Sequence, residues 1–92
     1  MKKSSVAVKE RKKRVNWSDR LKLQTKEVLY DLPVSAFLPG YCCMKSSEHQ
    51  FGIIRLEDAL RNAYIIRSRD SGEIIREFTD VVSLISAGWV VD

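Results

Sequence analysis

The chain reads as an α+β domain: a small antiparallel sheet containing the 64–78 hairpin, with two short helices, about 55–63 and 80–87, packed on it. Three observations predict this. The stretch from Tyr64 to Phe78, YIIRSRDSGEIIREF, sets two β-branched runs around an Asp-Ser-Gly turn. Leu56, Ala59, Leu60 and Ala63 recur at the spacing of one helical stripe. Val81, Leu84 and Ile85 repeat that spacing before Gly88 and the apolar run Trp89-Val90-Val91.

Residues 1–15, MKKSSVAVKERKKRV, show no apolar periodicity and repel themselves, so a flexible basic tail is expected there, ahead of one domain over 16–92. Trp17 begins the folded part. Leu21, Leu23 and Thr25 alternate as a strand does, which predicts strand-like structure around Leu21–Thr25 and again around Val28–Leu32. A helix competes, because Trp17, Leu21, Val28 and Leu32 share helical spacing and Ser18 can cap it. Pro33, Pro39, Gly40 and Gly52 then punctuate a stretch without a sustained period, which reads as a long connection tethered by Phe37, Leu38, Tyr41 and Phe51.

In the second half, Glu57 and Asp58 open the first short helix and Arg61 lies near its end, as the helix dipole prefers. Asp70-Ser71-Gly72 fits a three-residue hairpin loop with Gly72 at the positive-φ position. That loop pairs Arg69 with Glu73, Arg67 with Ile75 and Ile65 with Glu77. A two-residue loop would set Arg67 against Arg76, and like charges face to face are destabilising. One face of the hairpin then carries Tyr64, Ile66, Ser68, Ile74, Arg76 and Phe78. The other carries Ile65, Arg67, Arg69, Glu73, Ile75 and Glu77. Thr79 is the expected cap of the second short helix, and Trp89–Val91 the closing strand.

Ninety-two residues make one modest core, and a domain of this size favours a surface site over a deep enclosed one. The net charge of +4 is uneven. Lys2, Lys3, Lys9, Arg11, Lys12, Lys13 and Arg14 against Glu10 give the first fourteen residues +6, while nine basic and eleven acidic groups leave the remainder at −2. No apolar run approaches the roughly 20 residues of a spanning helix. The run Val6-Ala7-Val8 stops at Lys9, short of a signal-peptide core. Cytoplasmic residence is expected, with no membrane partner. Cys42 and Cys43 are adjacent, so they cannot staple distant segments, and reduced thiols are the plain reading.

Chemistry has little to stand on. Cys43 and His49 could form a thiolate–imidazole pair, which makes a Cys/His-dependent enzyme one alternative, but no signature surrounds them. Cys42, Cys43 and His49 lack the spacing that orients zinc ligands. Adjacent Glu57 and Asp58 diverge on a helix and make a poor acid–base dyad. No catalytic, cofactor or metal residue is therefore assigned. The expectation is a non-enzymatic interaction module, a small regulatory or accessory protein that docks on another protein through Ile65, Arg67, Arg69 and Ile75, since arginine beside exposed aliphatics is a common interface mixture. The alternative is DNA or RNA binding by Lys9, Arg11, Lys12, Lys13 and Arg14, with Trp17 able to stack on a base. The last strand can also leave a sheet edge through which two copies pair as a homodimer.

Overall fold

The computed structural model describes residues 16–92; the expected basic tail, with Lys9, Arg11, Lys12, Lys13 and Arg14, lies outside the described residues. Helix α1 (Asp19–Asp31) leads through a 3-10 turn (Val34–Phe37) to strands β1 (Tyr41–Ser46) and β2 (Phe51–Arg55). Helix α2 (Leu56–Leu60), strands β3 (Tyr64–Arg67) and β4 (Ile74–Phe78), helix α3 (Val81–Ser86) and strand β5 (Trp89–Val91) follow. The strands form one antiparallel curled sheet in the order β4-β3-β2-β1-β5. The α+β class is as expected, and the two expected short helices are present, joined by a longer one.

That longer helix, α1, replaces the strands expected around Leu21–Thr25 and Val28–Leu32. Ser18 caps it in extended backbone, accepting the Leu21 N–H at 3.1 Å, and Asp19 lies in the first turn. The buried stripe runs through Leu21, Thr25, Val28, Leu29 and Leu32. Thr25 sits inside it, and Leu23, half of the apparent alternation, is exposed. Leu32 turns left-handed at φ 50°, returns its N–H to Val28, and Pro33 stops further turns.

The stretch expected to be a long connection contains the β1–β2 hairpin. Tyr41 pairs with Arg55, Cys43 with Ile53 and Lys45 with Phe51. Cys42, Met44 and Ser46 are buried while Tyr41, Cys43 and Lys45 are half-buried, the alternation of a strand with unequal faces. The turn is closed by Ser46, whose hydroxyl accepts the N–H groups of Glu48 and Gln50, both at 3.1 Å.

The β3–β4 hairpin departs from its expected register near the loop. Tyr64 faces Phe78 and Ile65 faces Glu77 as expected, but Arg67 pairs with Ile74 rather than Ile75. Ser68 N–H bonds Glu73 O, so the loop spans four residues, Arg69 to Gly72, with Gly72 at φ 77°. The extra residue on β4 is a bulge, which re-aims the side chains around it. Ile75 packs against the core and Ile74 is 49% exposed, the reverse of the expected faces. Gly52 allows the close approach of β2 and β3: a Cβ there would lie 2.6 Å from Ile66 Cγ2.

Helix α2 is shorter than expected because Asn62 turns left-handed at φ 59° and the Ala63 N–H returns to Asp58 O. Asp80, one residue beyond the expected Thr79, caps α3 by accepting the Ser83 N–H at 2.7 Å. This bond holds the Asp80 carboxyl below its ordinary range. Gly88 at φ 100° redirects the chain into β5. The core lies between the helices and one sheet face, built on Leu29, Met44, Ile54, Ile66, Leu84 and Trp89.

Strand β5 is an edge, but α1 covers it at Val91. Thr25 Oγ1 accepts the Val91 N–H at 3.1 Å and donates to Leu21 O at 2.8 Å. Thr25→Val keeps the shape and removes both bonds, leaving a buried N–H unpaired, so it is expected to cost about 1–3 kcal/mol in urea unfolding. Thr25→Ser is expected to retain most of that stability, and equal losses in the two variants would contradict the hydrogen-bond account.

Candidate functional site

The sheet face turned away from the helical core carries the alternate residues of β1, Tyr41, Cys43 and Lys45, with Ile53 and Arg67 on the neighbouring strands. Arg67, expected to dock a partner, is engaged within the fold. Its Nε donates to Asp58 Oδ2 at 3.1 Å, and Arg61 donates to Oδ1 of the same carboxylate at 3.0 Å. Asp58 is 1% exposed, so this is a buried charge held by two guanidinium groups. Arg67 also donates to Gly72 O at 3.2 Å, which ties the hairpin loop back to β3. A Cβ at Gly72 would lie 3.0 Å from the Arg55 guanidinium, so the loop rests on that side chain.

The tied loop delivers Arg69 to Tyr41, with the guanidinium carbon 5.9 Å from the ring centroid. The Tyr41 side chain, and then Cys43, push the Arg69 pKa further up. Of the four hairpin residues expected to dock a partner, Arg69 alone is fully exposed. Ile65 is half-buried, Ile75 belongs to the core margin, and Arg67 is committed to Asp58. Ile65 and Ile75 therefore form no exposed patch, and the exposed Arg69 lies against Tyr41.

That pair borders an open end of β1. Ser46 N–H bonds Gln50 O at 2.8 Å, so the main-chain groups of Cys42, Met44 and Ser46 point toward β2. Asp92 N–H bonds Cys43 O at 3.0 Å and Ser47 N–H bonds Gly88 O at 2.8 Å, so the alternate residues point toward β5. The pairing with β5 ends there, and the N–H and C=O of Tyr41 point outward beyond it. Beside them lies a groove of about 330 Å³ walled by Gln24, Val28, Ala36, Pro39 and Val91, with Arg69 at its rim.

Trp17 is docked rather than free to stack on both faces. Its Nε1 donates to Gly88 O at 2.7 Å, and Lys45 Nζ lies 5.1 Å from the ring centroid. Lys45 also pairs with Asp92 at 3.7 Å. A second cavity of about 420 Å³ adjoins, lined by Asn16, Trp17, Lys22, Ser47 and Gly88.

The cysteine chemistry does not assemble. Cys42 points into the core, where burial and then the neighbouring Cys43 push its thiol up to about 11, opposite to an activated nucleophile. Cys43 sits mid-strand, whereas His49 lies in the turn beyond Ser46, roughly 10 Å or more along the strand. Among the described residues no three His, Cys, Asp or Glu side chains converge as metal ligands, and no helix is long and apolar enough to cross a membrane.

No protein-family model matches the chain, and neither a curated protein nor a solved structure is similar enough to match it.

Sequence reasoning missed Tyr41 and Asp58 as site residues. Asp58 stands off the Leu56, Ala59, Leu60 and Ala63 stripe, and dipole complementarity accounted for it, so the local pattern did not mark it as buried. Arg67→Met strands the buried carboxylate with one partner and is expected to lower stability by about 3–5 kcal/mol. The double variant Asp58→Leu with Arg67→Met is expected to lose less, which chemical denaturation of both will check. Iodoacetamide at neutral pH is expected to label Cys43 in the folded protein and Cys42 only after unfolding, read by peptide mass mapping; equal labelling would contradict the burial account.

Proposed function

We propose that the chain is a non-enzymatic interaction module, a small regulatory or accessory protein of the cytoplasm, whose partner is another protein. The observation that carries this reading is the outward N–H and C=O of Tyr41 at an apolar-walled groove. A partner segment in extended conformation lines up with Tyr41, adds to the sheet through its main chain, and fills the groove with its side chains. Arg69 is the docking contact contributed by the hairpin, and Arg67 is its positioning residue. The test is selection of extended decapeptides from a displayed library on the full-length protein. Enriched peptides are expected to lose at least about tenfold in affinity on Ala36→Tyr, which narrows the groove. Failure to enrich any peptide, or indifference to Ala36→Tyr, would sink the reading.

A nucleic-acid role for the tail is the second reading. It is favoured by Lys22 and Lys45 beside Trp17, at the point where the tail joins the fold. A strand held by Lys9, Arg11, Lys12, Lys13 and Arg14 meets further positive charge there. Five such contacts predict that log affinity for single-stranded oligonucleotide falls against log salt with a slope of about −3 to −4, and that deleting residues 1–14 abolishes it. Absence of oligonucleotide binding at low salt rules this role out.

A further inference from the structure

We propose that the groove at the open end of β1 reads an apolar–acidic–apolar core within an extended peptide. This rests on the docking reading above and adds the chemistry of the partner. The first premise is register. A single residue placed antiparallel opposite Tyr41 exchanges both main-chain bonds with it, continuing the line of β5 in a sheet whose neighbours are all antiparallel. Directly opposed residues put their side chains on the same face. The central peptide residue therefore projects beside the Tyr41 ring, on the face that Arg69 covers.

The second premise is charge. Arg69 has no carboxylate within ion-pair distance among the described residues, while Asp92, the acidic group of the same groove, is engaged by Lys45. Arg67, the arginine next along the hairpin, is already held by Asp58 and Gly72. An aspartate or glutamate at the central position supplies the carboxylate that Arg69 lacks among the described residues, while Tyr41 holds the guanidinium in place for it. The third premise is alternation. Residues on either side of the central one point to the opposite face, toward Val28, Ala36 and Val91, where an aliphatic side chain is accommodated and a charged one would lose its water.

The test titrates capped peptides containing Val-Glu-Val into the isotopically labelled full-length protein and follows backbone amide shifts. Three peptides are compared: the parent, a Val-Lys-Val version, and the parent with the glutamate amide N-methylated, which removes the main-chain donor and leaves every side chain in place. Shifts are expected to centre on Tyr41, Ala36 and Arg69. The lysine and N-methyl peptides are each expected to bind at least about tenfold more weakly. Arg69→Glu, a change at an exposed position, is expected to invert the preference between the glutamate and lysine peptides. Equal binding of those two overturns the acidic specificity while leaving strand addition standing. Undiminished binding of the N-methyl peptide overturns strand addition itself. If no peptide binds while the displayed library still enriches others through the groove, the inference fails and the docking reading survives.

Discussion

A buried carboxylate governs the geometry of the candidate site. Asp58 lies at the short helix between β2 and β3, and a charge so placed is tolerable only when it is fully paired. Arg61 supplies one partner at the rim and Arg67 the other from within the sheet. Because Arg67 is a fork of several donors, Nε can bond Asp58 while Nη1 donates to Gly72 O. The loop is thereby bent back across the sheet, and Arg69 arrives over Tyr41 as a result. A lysine at the Arg67 position would offer a point charge without the fixed fork that couples helix to loop.

The same sheet treats its two edges differently. On one side α1 presents Thr25 to the last strand, so the edge is masked by a side chain rather than by charge or a proline. The cover stops short of Tyr41, because β5 pairs with the later residues of β1 and not with its first two. The open end is therefore produced by a mismatch in strand length, six residues in β1 against three in β5. On the other side the bulged β4 turns Ile75 and Phe78 to the core, while Ile74, Arg76 and Glu77 remain exposed. Extended segments thus have a groove with walls at one edge and a flat, charged border at the other.

The legible part of the fold was the part governed by local rules. The Tyr64–Phe78 hairpin, the two short helices and the closing strand follow from turn chemistry and short apolar periods, which need no knowledge of distant residues. Helix α1 was obscured because Thr25, buried at the centre of its stripe, serves a strand sixty-six residues away, and its polarity made the stripe look like an alternation. Strand β1 was obscured for a related reason: Ser46 is buried to close a turn, and half-buried Tyr41 and Cys43 are apolar, so hydropathy does not alternate even though burial does. The site was less legible still. The register of the outer hairpin was right from Tyr64 to Ile66 and failed at Arg67, since nothing in the local pattern announces that an arginine must reach a carboxylate nine residues back.

The hydrogen bond from Trp17 to Gly88 spans seventy-one residues of chain, and the one from Val91 to Thr25 spans sixty-six. These contacts join nearly the first and nearly the last residues described, and they have a consequence for synthesis. A ribosome makes α1 first and β5 last, at roughly 5–20 residues per second. For several seconds the helix exists with its apolar stripe facing no sheet, and an isolated helix of that length is marginal in water. Completion of this fold thus waits for β5, and until that strand is made the stripe of α1 has no sheet to cover it.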